Sequence, residues 1–217
     1  MHRGSLVRLS CAAVALGLTV LPVIPAQAAD VISEWGAVKP PPVPELKPVK
    51  LDGKTTALLI LDLQTPSCTM QRRARCVDTL PKVKKLLDAA RAAGAMVFYS
   101  FAGAGDPHEI ADPGLAPRDG EWVAQRGPDK FLGSDLEKRL KDRAIKTVIV
   151  TGSSAQGVVI GTGSGAAQRG YKVIVPVDGM SSDDTYAEQY AAWHMYKGGP
   201  AIVTDQVTLT RSDMIGF

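Results

Sequence analysis

The chain has 217 residues, 45% hydrophobic and 22% charged, a composition typical of a globular domain and long enough for a sizeable core. Its formal net charge is +3, which falls to +1 if the segment containing Arg3 and Arg8 is removed, since that segment holds no acid. A near-neutral chain gives no electrostatic reason to expect binding to nucleic acid or to an acidic membrane surface.

Residues 1–28 have the pattern of an export signal. Arg3 and Arg8 form a short basic start, an apolar run covers 11–24, and Ala26-Gln27-Ala28 is a small-x-small cleavage site. The apolar run is shorter than the roughly 20 residues that a membrane span needs, so an uncleaved anchor is the less favoured alternative. We therefore expect a mature chain that is periplasmic or secreted and has no membrane attachment.

Residues 29–53 are predicted to form a proline-rich arm ahead of the folded domain, residues 54–217. The arm contains Pro40-Pro41-Pro42, Pro44 and Pro48. Proline fixes φ and removes backbone donors, which predicts an extended segment rather than a helix or a central strand. Such an arm lies along its own domain or on a partner subunit.

From residue 56 onward, apolar β runs alternate with stretches of helical spacing. Strands are predicted at 57–61, 95–101, 147–151 and 171–177, with 202–204 and 207–210 supplying the last one. Helices are predicted at 77–93, 136–144, 157–169 and 184–196, and a long loop at 103–127. This alternation predicts an α/β fold of three layers, a mostly parallel, Rossmann-like sheet with helices on both faces.

Ligands of such sheets bind at the carboxyl ends of the strands, where Asp62 is the first candidate. It ends a wholly apolar strand, and a partly desolvated carboxylate there suits proton transfer, although a capping or turn acid is the alternative. The segment 152–157 leads into a helix N-terminus, whose free N–H groups can hold an anion or oxyanion. Ser153 and Ser154 are candidate nucleophiles there, but they do not stand in a G-x-S-x-G elbow.

Other motifs favour structural roles. Gly161, Gly163 and Gly165 fall inside the predicted helix, so close helix packing explains them better than a dinucleotide fingerprint. Cys68 and Cys76 remain once Cys11 leaves with the signal, and an even pair in an oxidising compartment is typical of a disulfide. A free nucleophile or a metal pair are the other interpretations. No histidine lies near them in sequence, so we expect neither a metal nor a cofactor.

Taken together, residues 56–210 resemble the isochorismatase-like (cysteine hydrolase) family. The motifs that carry the resemblance are Asp62-Leu63-Gln64 for D-x-Q, Phe131 to Leu136 for F-x-x-T-x-L, Val148 to Gly152 for the strand before the T-x-x-C turn, and Arg169-Gly170-Tyr171 followed by Val177-Asp178-Gly179. Members with the full chemistry use an Asp, a Lys and a nucleophilic Cys, with a cis peptide and backbone N–H groups forming the oxyanion hole.

The chain departs from that pattern at two catalytic positions. Counting from Gly152, the Cys position falls on Val158 and the Thr position on Ala155. The Lys position, six residues before Phe131, falls on Gln125, and the nearest lysine is Lys130.

The resemblance implies roles for individual residues on this basis. Asp62 would be the catalytic acid/base, and Lys130 an electrostatic helper. Substrate contacts would come from Gln64, Gln125, Ala155 and Val158, and the loop 103–127 would form a lid.

These observations leave three functional hypotheses. The first is an exported hydrolase that cleaves a C–N amide-type or vinyl-ether bond in a small molecule, since the isochorismatases themselves use an Asp acid without the Cys. The second is a non-catalytic binding module that keeps the pocket without the nucleophile. The third is a structural or assembly protein tethered by the arm. The resemblance also implies a homo-oligomer.

Overall fold

The computed structural model describes residues 29–102, 109–125 and 127–217. The predicted export signal, His108 and the first part of the predicted lid lie outside these residues. Residues up to Pro40 cluster separately from Pro41–Phe217. In the first group, Asp30 accepts hydrogen bonds from the N–H groups of Ile32 and Ser33, just ahead of a 3₁₀ turn at Trp35–Ala37.

A seven-stranded sheet lies at the centre of residues 41–217. Its strands are β2 (Thr56–Leu61), β3 (Met96–Phe101), β4 (Trp122–Gln125), β5 (Thr147–Ser153), β6 (Lys172–Pro176), β7 (Met180–Ser181) and β8 (Val207–Thr210), and β1 (Val49–Lys50) pairs with β9 (Ile215–Gly216) in a second, two-stranded sheet. The large sheet has the order β4-β3-β2-β5-β6-β8, with β7 beside β5, and all of these pairings are parallel.

Helices cover both faces of the sheet. They are α1 (Met70–Ala92), α2 (Leu136–Asp142), α3 (Ile160–Gln168), α4 (Thr185–Trp193) and α5 (Ala201–Thr204), with π-helical turns at Ala155–Val159 and His194–Gly198. Alternate residues of β2 point to opposite faces. Leu58 and Ile60 pack with α1, whereas Leu59 and Leu61 pack with the other helices. This arrangement confirms the predicted three-layer α/β fold.

The sequence-based prediction missed the two-residue strands β1, β7 and β9, and three larger elements also differ from it. The predicted loop 103–127 contains the edge strand β4, whose four residues are too few to show an alternating pattern among Gly, Pro and Asp. The predicted strand at 202–204 is helix α5 instead, because Pro200 stands at its N-cap and a four-residue apolar run carries no clear period. Helix α1 begins seven residues earlier than predicted, since Thr69 caps it by accepting a hydrogen bond from Arg72 N–H.

Part of the predicted arm is extended along the domain formed by residues 41–217. The Lys47 N–H donates to the Leu209 carbonyl at 3.0 Å, and Val49 pairs with Ile215. Farther upstream, residues 41–44 and Leu46 line a cavity of about 250 Å³ together with Trp193 and Tyr196. Among the helices that the structure describes, none is both long enough and apolar enough to cross a membrane.

Candidate active site

Asp62 lies at the carboxyl edge of the sheet, directly after β2. Its backbone has φ 55°, in the left-handed region that Asp tolerates better than most other residues. Its N–H donates to the Ser100 carbonyl at 2.9 Å, and its Oδ1 accepts a hydrogen bond from Ser100 Oγ at 2.7 Å. Strand β3 therefore fixes the carboxylate, and the Asp62 side chain is only 11% exposed.

Lys130 forms an ion pair with this carboxylate. Its Nζ lies 3.0 Å from Oδ1 and 3.2 Å from Oδ2 of Asp62, and the residue is 2% exposed. Helix α3 holds the segment that carries the lysine. Thr162 Oγ1 accepts from Lys130 N–H and donates to the Pro128 carbonyl. A Cβ on Gly161 would stand 2.6 Å from that same carbonyl oxygen, so only glycine permits the close approach.

The sequence alone left open whether Gln125 or Lys130 stands near Asp62, and the structure places Lys130 there. Gln125 ends β4, and its side chain lies outside the described part of the chain. A buried ion pair contributes little net stability, because each charge loses its hydration. Such pairs are candidates for functional sites, since catalysis uses groups whose ionisation the protein controls.

The turn after β5 lies next to Asp62. Gly152, at φ 144°, lets β5 pass so close to β2 that a Cβ on it would stand 2.2 Å from the Leu61 carbonyl oxygen. The peptide bond between Ser153 and Ser154 is cis, at the turn where the family resemblance predicts one. The chain then enters the π-helical turn that begins α3.

Val158 and Ala155 provide shape at this turn rather than reactive atoms. Val158 is 4% exposed and belongs to the same buried cluster as Phe131, the residue after Lys130. Ala155 is fully buried, and its N–H donates to Ser182 Oγ at 3.2 Å. A valine side chain offers no nucleophile, so any chemistry here proceeds without a thiol.

Gln64 has a structural partner. Its side-chain amide accepts from Ala102 N–H at 2.6 Å and donates to the Ala102 carbonyl at 3.4 Å, so it anchors the chain just after β3. Gln64 also forms an antiparallel bridge with Ile110. A substrate contact of Gln64 therefore remains a proposal. It requires the side-chain amide to contact the substrate while it also binds the Ala102 backbone.

Cys68 and Cys76 form a disulfide with a Cα–Cα distance of 5.2 Å, as the sequence predicted. The bond closes a short loop at the start of α1, and this loop contains Arg73. Arg73 donates from Nη1 to Ser153 Oγ and from Nε to Asp183 Oδ1, both at 2.8 Å. The guanidinium holds the pKa of the Asp183 carboxyl below its usual range through that hydrogen bond. Sequence reasoning missed Arg73, whose only signal was its place between two cysteines.

The three glycines of α3 allow close packing, as predicted. A Cβ on Gly161, Gly163 or Gly165 would stand 2.6 to 2.8 Å from Pro128, Met195 or Asp129, respectively. Within the described residues, no group of three His, Cys, Asp or Glu side chains is close enough to hold a metal ion.

Another cavity, of about 410 Å³, lies away from Asp62. Its lining includes Met96 and Trp122, at the starts of β3 and β4, and the charged side chains of Arg139 and Arg143. Strand starts lie at the amino edge of a parallel sheet, and Asp62 lies at the carboxyl edge. The chemistry of the Asp62–Lys130 pair therefore has no connection with this cavity.

Comparison with known proteins gives a consistent result. The isochorismatase domain profile matches residues 56–206. The chain is 30% identical over 159 residues to N-carbamoylsarcosine amidase of an Arthrobacter species, an alignment spanning 59% of each chain and thus less than two thirds of that amidase. It is 28% identical over 141 residues to the secreted isochorismatase effector Isc1 of Verticillium dahliae, covering 59% of this chain and 74% of Isc1.

A solved structure shows the same fold. The isochorismatase family protein from Desulfovibrio vulgaris superposes with a TM-score of 0.66 at 23% identity. The superposition covers 73% of this chain and 95% of the other.

Proposed function

The chain belongs to the isochorismatase family, and we propose that it is an exported hydrolase that cleaves a C–N amide-type or vinyl-ether bond in a small molecule. The buried ion pair between Asp62 and Lys130 is the observation that carries this proposal. We assign Asp62 as the acid/base and Lys130 as the group that stabilises its negative charge. The relationship to an amidase that acts on N-carbamoylsarcosine supports the amide-type reaction.

With an amide-type substrate, the proposed reaction needs no covalent intermediate. The Asp62 carboxylate takes a proton from water, and the water oxygen attacks the carbonyl carbon. Backbone N–H groups of the turn formed by residues 154–158 stabilise the developing oxyanion, other than those of Ala155 and Gly157, which already donate to Ser182 Oγ and to the Ser154 carbonyl. The proton then passes from Asp62 to the nitrogen as the C–N bond breaks, which regenerates the carboxylate. This route is compatible with Val158 at the family's Cys position.

With a vinyl-ether substrate, the first proton transfer runs from Asp62 to the substrate rather than from water to Asp62. A protonated Asp62 gives its proton to the terminal carbon, and water then adds to the resulting oxocarbenium carbon and returns one proton to the Asp62 carboxylate. The C–O bond of the hemiketal breaks as its hydroxyl proton passes to the leaving oxygen, which gives a carbonyl compound and an alcohol. Lys130 stabilises the deprotonated carboxylate, so the ion pair favours the amide-type reaction over this one.

Val158 favours a second candidate function, a binding module without catalysis. The family resemblance assigns this side chain to the nucleophile position, and the residue is almost completely buried. The site around Asp62 and Lys130 would then bind a small molecule without turning it over. We also propose a homo-oligomer, on family resemblance.

Two observations support the proposed export. The Cys68–Cys76 disulfide is of the kind that forms and persists in oxidising compartments. Isc1, a relative, is described as secreted. Cleavage after Ala28 would then release a mature chain that begins at Ala29.

A substrate screen of the chain from Ala29 onward tests the proposed activity. Amide, carbamoyl, nitrile, ester and vinyl-ether compounds are incubated with the wild-type protein and with Asp62→Asn. Because general acid–base catalysis contributes about 10²- to 10⁴-fold, Asp62→Asn is expected to lower kcat by that factor. Asp178→Asn is the matched control, since this partly buried carboxylate at the same edge accepts hydrogen bonds from Ser212 instead.

Each outcome of the screen decides between the candidates. Turnover that Asp62→Asn retains in full overturns the assignment of Asp62. Absence of turnover with every compound, combined with ligands that raise the melting temperature, selects the binding module.

A further inference from the structure

Arg73 occupies an unusual position at the start of α1. Its backbone, at φ −149° and ψ 75°, breaks the helical conformation between the first turn and the rest of the helix. The disulfide encloses this irregular segment, because Cys68 precedes it and Cys76 follows it. The side chain is only 10% exposed, although a guanidinium is always charged.

The contacts of Arg73 lead to the candidate active site. Ser153, which accepts from its Nη1, is the last residue of β5 and directly precedes the turn at residues 154–158. Ser181 Oγ donates to the same Ser153 oxygen at 3.0 Å, so the hydroxyl is held from two sides. The other partner, Asp183, has a side chain that is 60% exposed.

We propose that Arg73 is a positioning residue that acts through Ser153 to fix the turn formed by residues 154–158. The Cys68–Cys76 bond in turn keeps Arg73 in place. The catalytic consequence rests on the proposed function, in which the N–H groups of this turn bind the oxyanion. The positioning of the turn by Arg73 does not depend on the proposed function.

The physical argument is that a buried cation needs strong partners. Removing a guanidinium from water is unfavourable unless charged or polar acceptors replace its hydration. Asp183 is largely exposed and supplies only part of that compensation, so the Ser153 hydroxyl is needed as well. A charged donor makes this hydrogen bond stronger than a bond between neutral groups. The end of β5 is thereby tied to a segment that the disulfide prevents from moving away.

A double-mutant cycle tests the proposal. The variants are Arg73→Met, Ser153→Ala and the combination of both, with Asp183→Asn as the control that removes the other partner of Arg73. The first readout is the backbone amide resonances of Gly157 and Val158, which need no substrate. We expect both single variants to shift these resonances and the combined variant to shift them no further. Asp183→Asn should shift them less, because the asparagine oxygen still accepts from Arg73 Nε and the bond from Nη1 to Ser153 remains.

The second readout uses a substrate found in the screen. Since small misplacements of a site lower rates by up to about a hundredfold, kcat is expected to fall in Arg73→Met and in Ser153→Ala while KM changes little. Replacing both cysteines by serine is expected to shift the same resonances.

Two results overturn the proposal: unchanged Gly157 and Val158 resonances in Arg73→Met, or strictly additive effects of the two substitutions. If Arg73→Met does not fold, Ser153→Ala alone provides the test, because it removes only a hydroxyl. Failure of the proposed function would appear separately, as loss of all turnover with the resonance cycle intact.

Discussion

At the residue scale, the environment of Asp62 limits what its carboxylate can do. A carboxylate has about four acceptor sites. Ser100 uses one on Oδ1, and the Lys130 ammonium group bridges both oxygens. A site on Oδ2 remains for a water or a substrate proton, on an oxygen that β3 and α3 hold in a fixed orientation. This geometry suits proton transfer by a preorganised group.

Removing Lys130 should reveal how the pair affects stability. Lys130→Met leaves Asp62 buried without its cation, and breaking a buried pair in this way costs about 3–5 kcal/mol of unfolding free energy. Adding Asp62→Asn removes the uncompensated charge, so the double variant should recover most of that loss. Urea unfolding of the wild type, both single variants and the double variant measures the four values.

The Lys84–Asp88 pair is the surface control for this cycle. Both side chains are about half exposed, so Lys84→Met should change stability by less than about 1 kcal/mol. If Lys130→Met is equally mild, the pair is more hydrated than the structure indicates.

At the element scale, the glycines of α3 provide a matched pair of substitutions. Gly161→Ala places a methyl group 2.6 Å from the Pro128 backbone oxygen, which cannot move without shifting Lys130. Gly163→Ala meets only the flexible Met195 methyl group, and alanine favours the helix by about 1 kcal/mol. Gly161→Ala should therefore lower both stability and turnover, whereas Gly163→Ala should leave turnover intact. Urea unfolding and the kinetic assay distinguish the two, and equal effects would show that Pro128 is free to move.

The sequence predicted those elements whose period is long and regular. Strands β2, β3 and β5 came from their apolar runs, and helix α3 came from a stretch of small residues that Gly170 ends. The family resemblance predicted a cis peptide at the turn after β5, and the peptide bond between Ser153 and Ser154 is cis. The prediction missed strand β4 and helix α5, because four residues are too few to establish a hydrophobic period.

The ion pair and the Arg73 contact depended on packing between distant segments. Lys130 and Asp62 are 68 residues apart, and Arg73 and Ser153 are 80 residues apart. A pattern within a short stretch of sequence does not show which distant residues come into contact. The sequence could therefore give Asp62 as a candidate and only suggest its partner.

At the scale of the whole molecule, the topology explains where the site lies. From β2 the chain proceeds through β3 to β4 on one side of the sheet, and from β5 it proceeds through β6 to β8 on the other. β2 and β5 are neighbours, so the crevice between their carboxyl ends is the point where the direction of winding reverses. Open parallel sheets bind ligands at such a point. Asp62 and the Ser153 turn occupy it from its two sides.

Export of the protein and the oxidation state of its cysteines are linked. We expect the full-length chain, produced in a Gram-negative host, to reach the periplasm with Ala29 at its N-terminus and with Cys68 and Cys76 bonded. Fractionation, intact mass and thiol alkylation measure the three properties. A chain that begins at Ala29 without the leader should stay in the cytosol with both thiols alkylated, because that compartment is reducing.

Ala28→Leu separates cleavage from transport in the same experiment. A large residue at the small-x-small site blocks the peptidase, so this variant should be membrane-bound and uncleaved while its disulfide still forms outside the cytosol. Its cysteines would then be protected from alkylation although residues 1–28 remain attached. A full-length chain recovered from the cytosol with free thiols would contradict the export proposal. It would also mean that the Cys68–Cys76 bond, which keeps Arg73 in place, is absent in the compartment where the protein works. The double-mutant cycle would then have to be repeated on the reduced protein, with the same amide resonances as the readout.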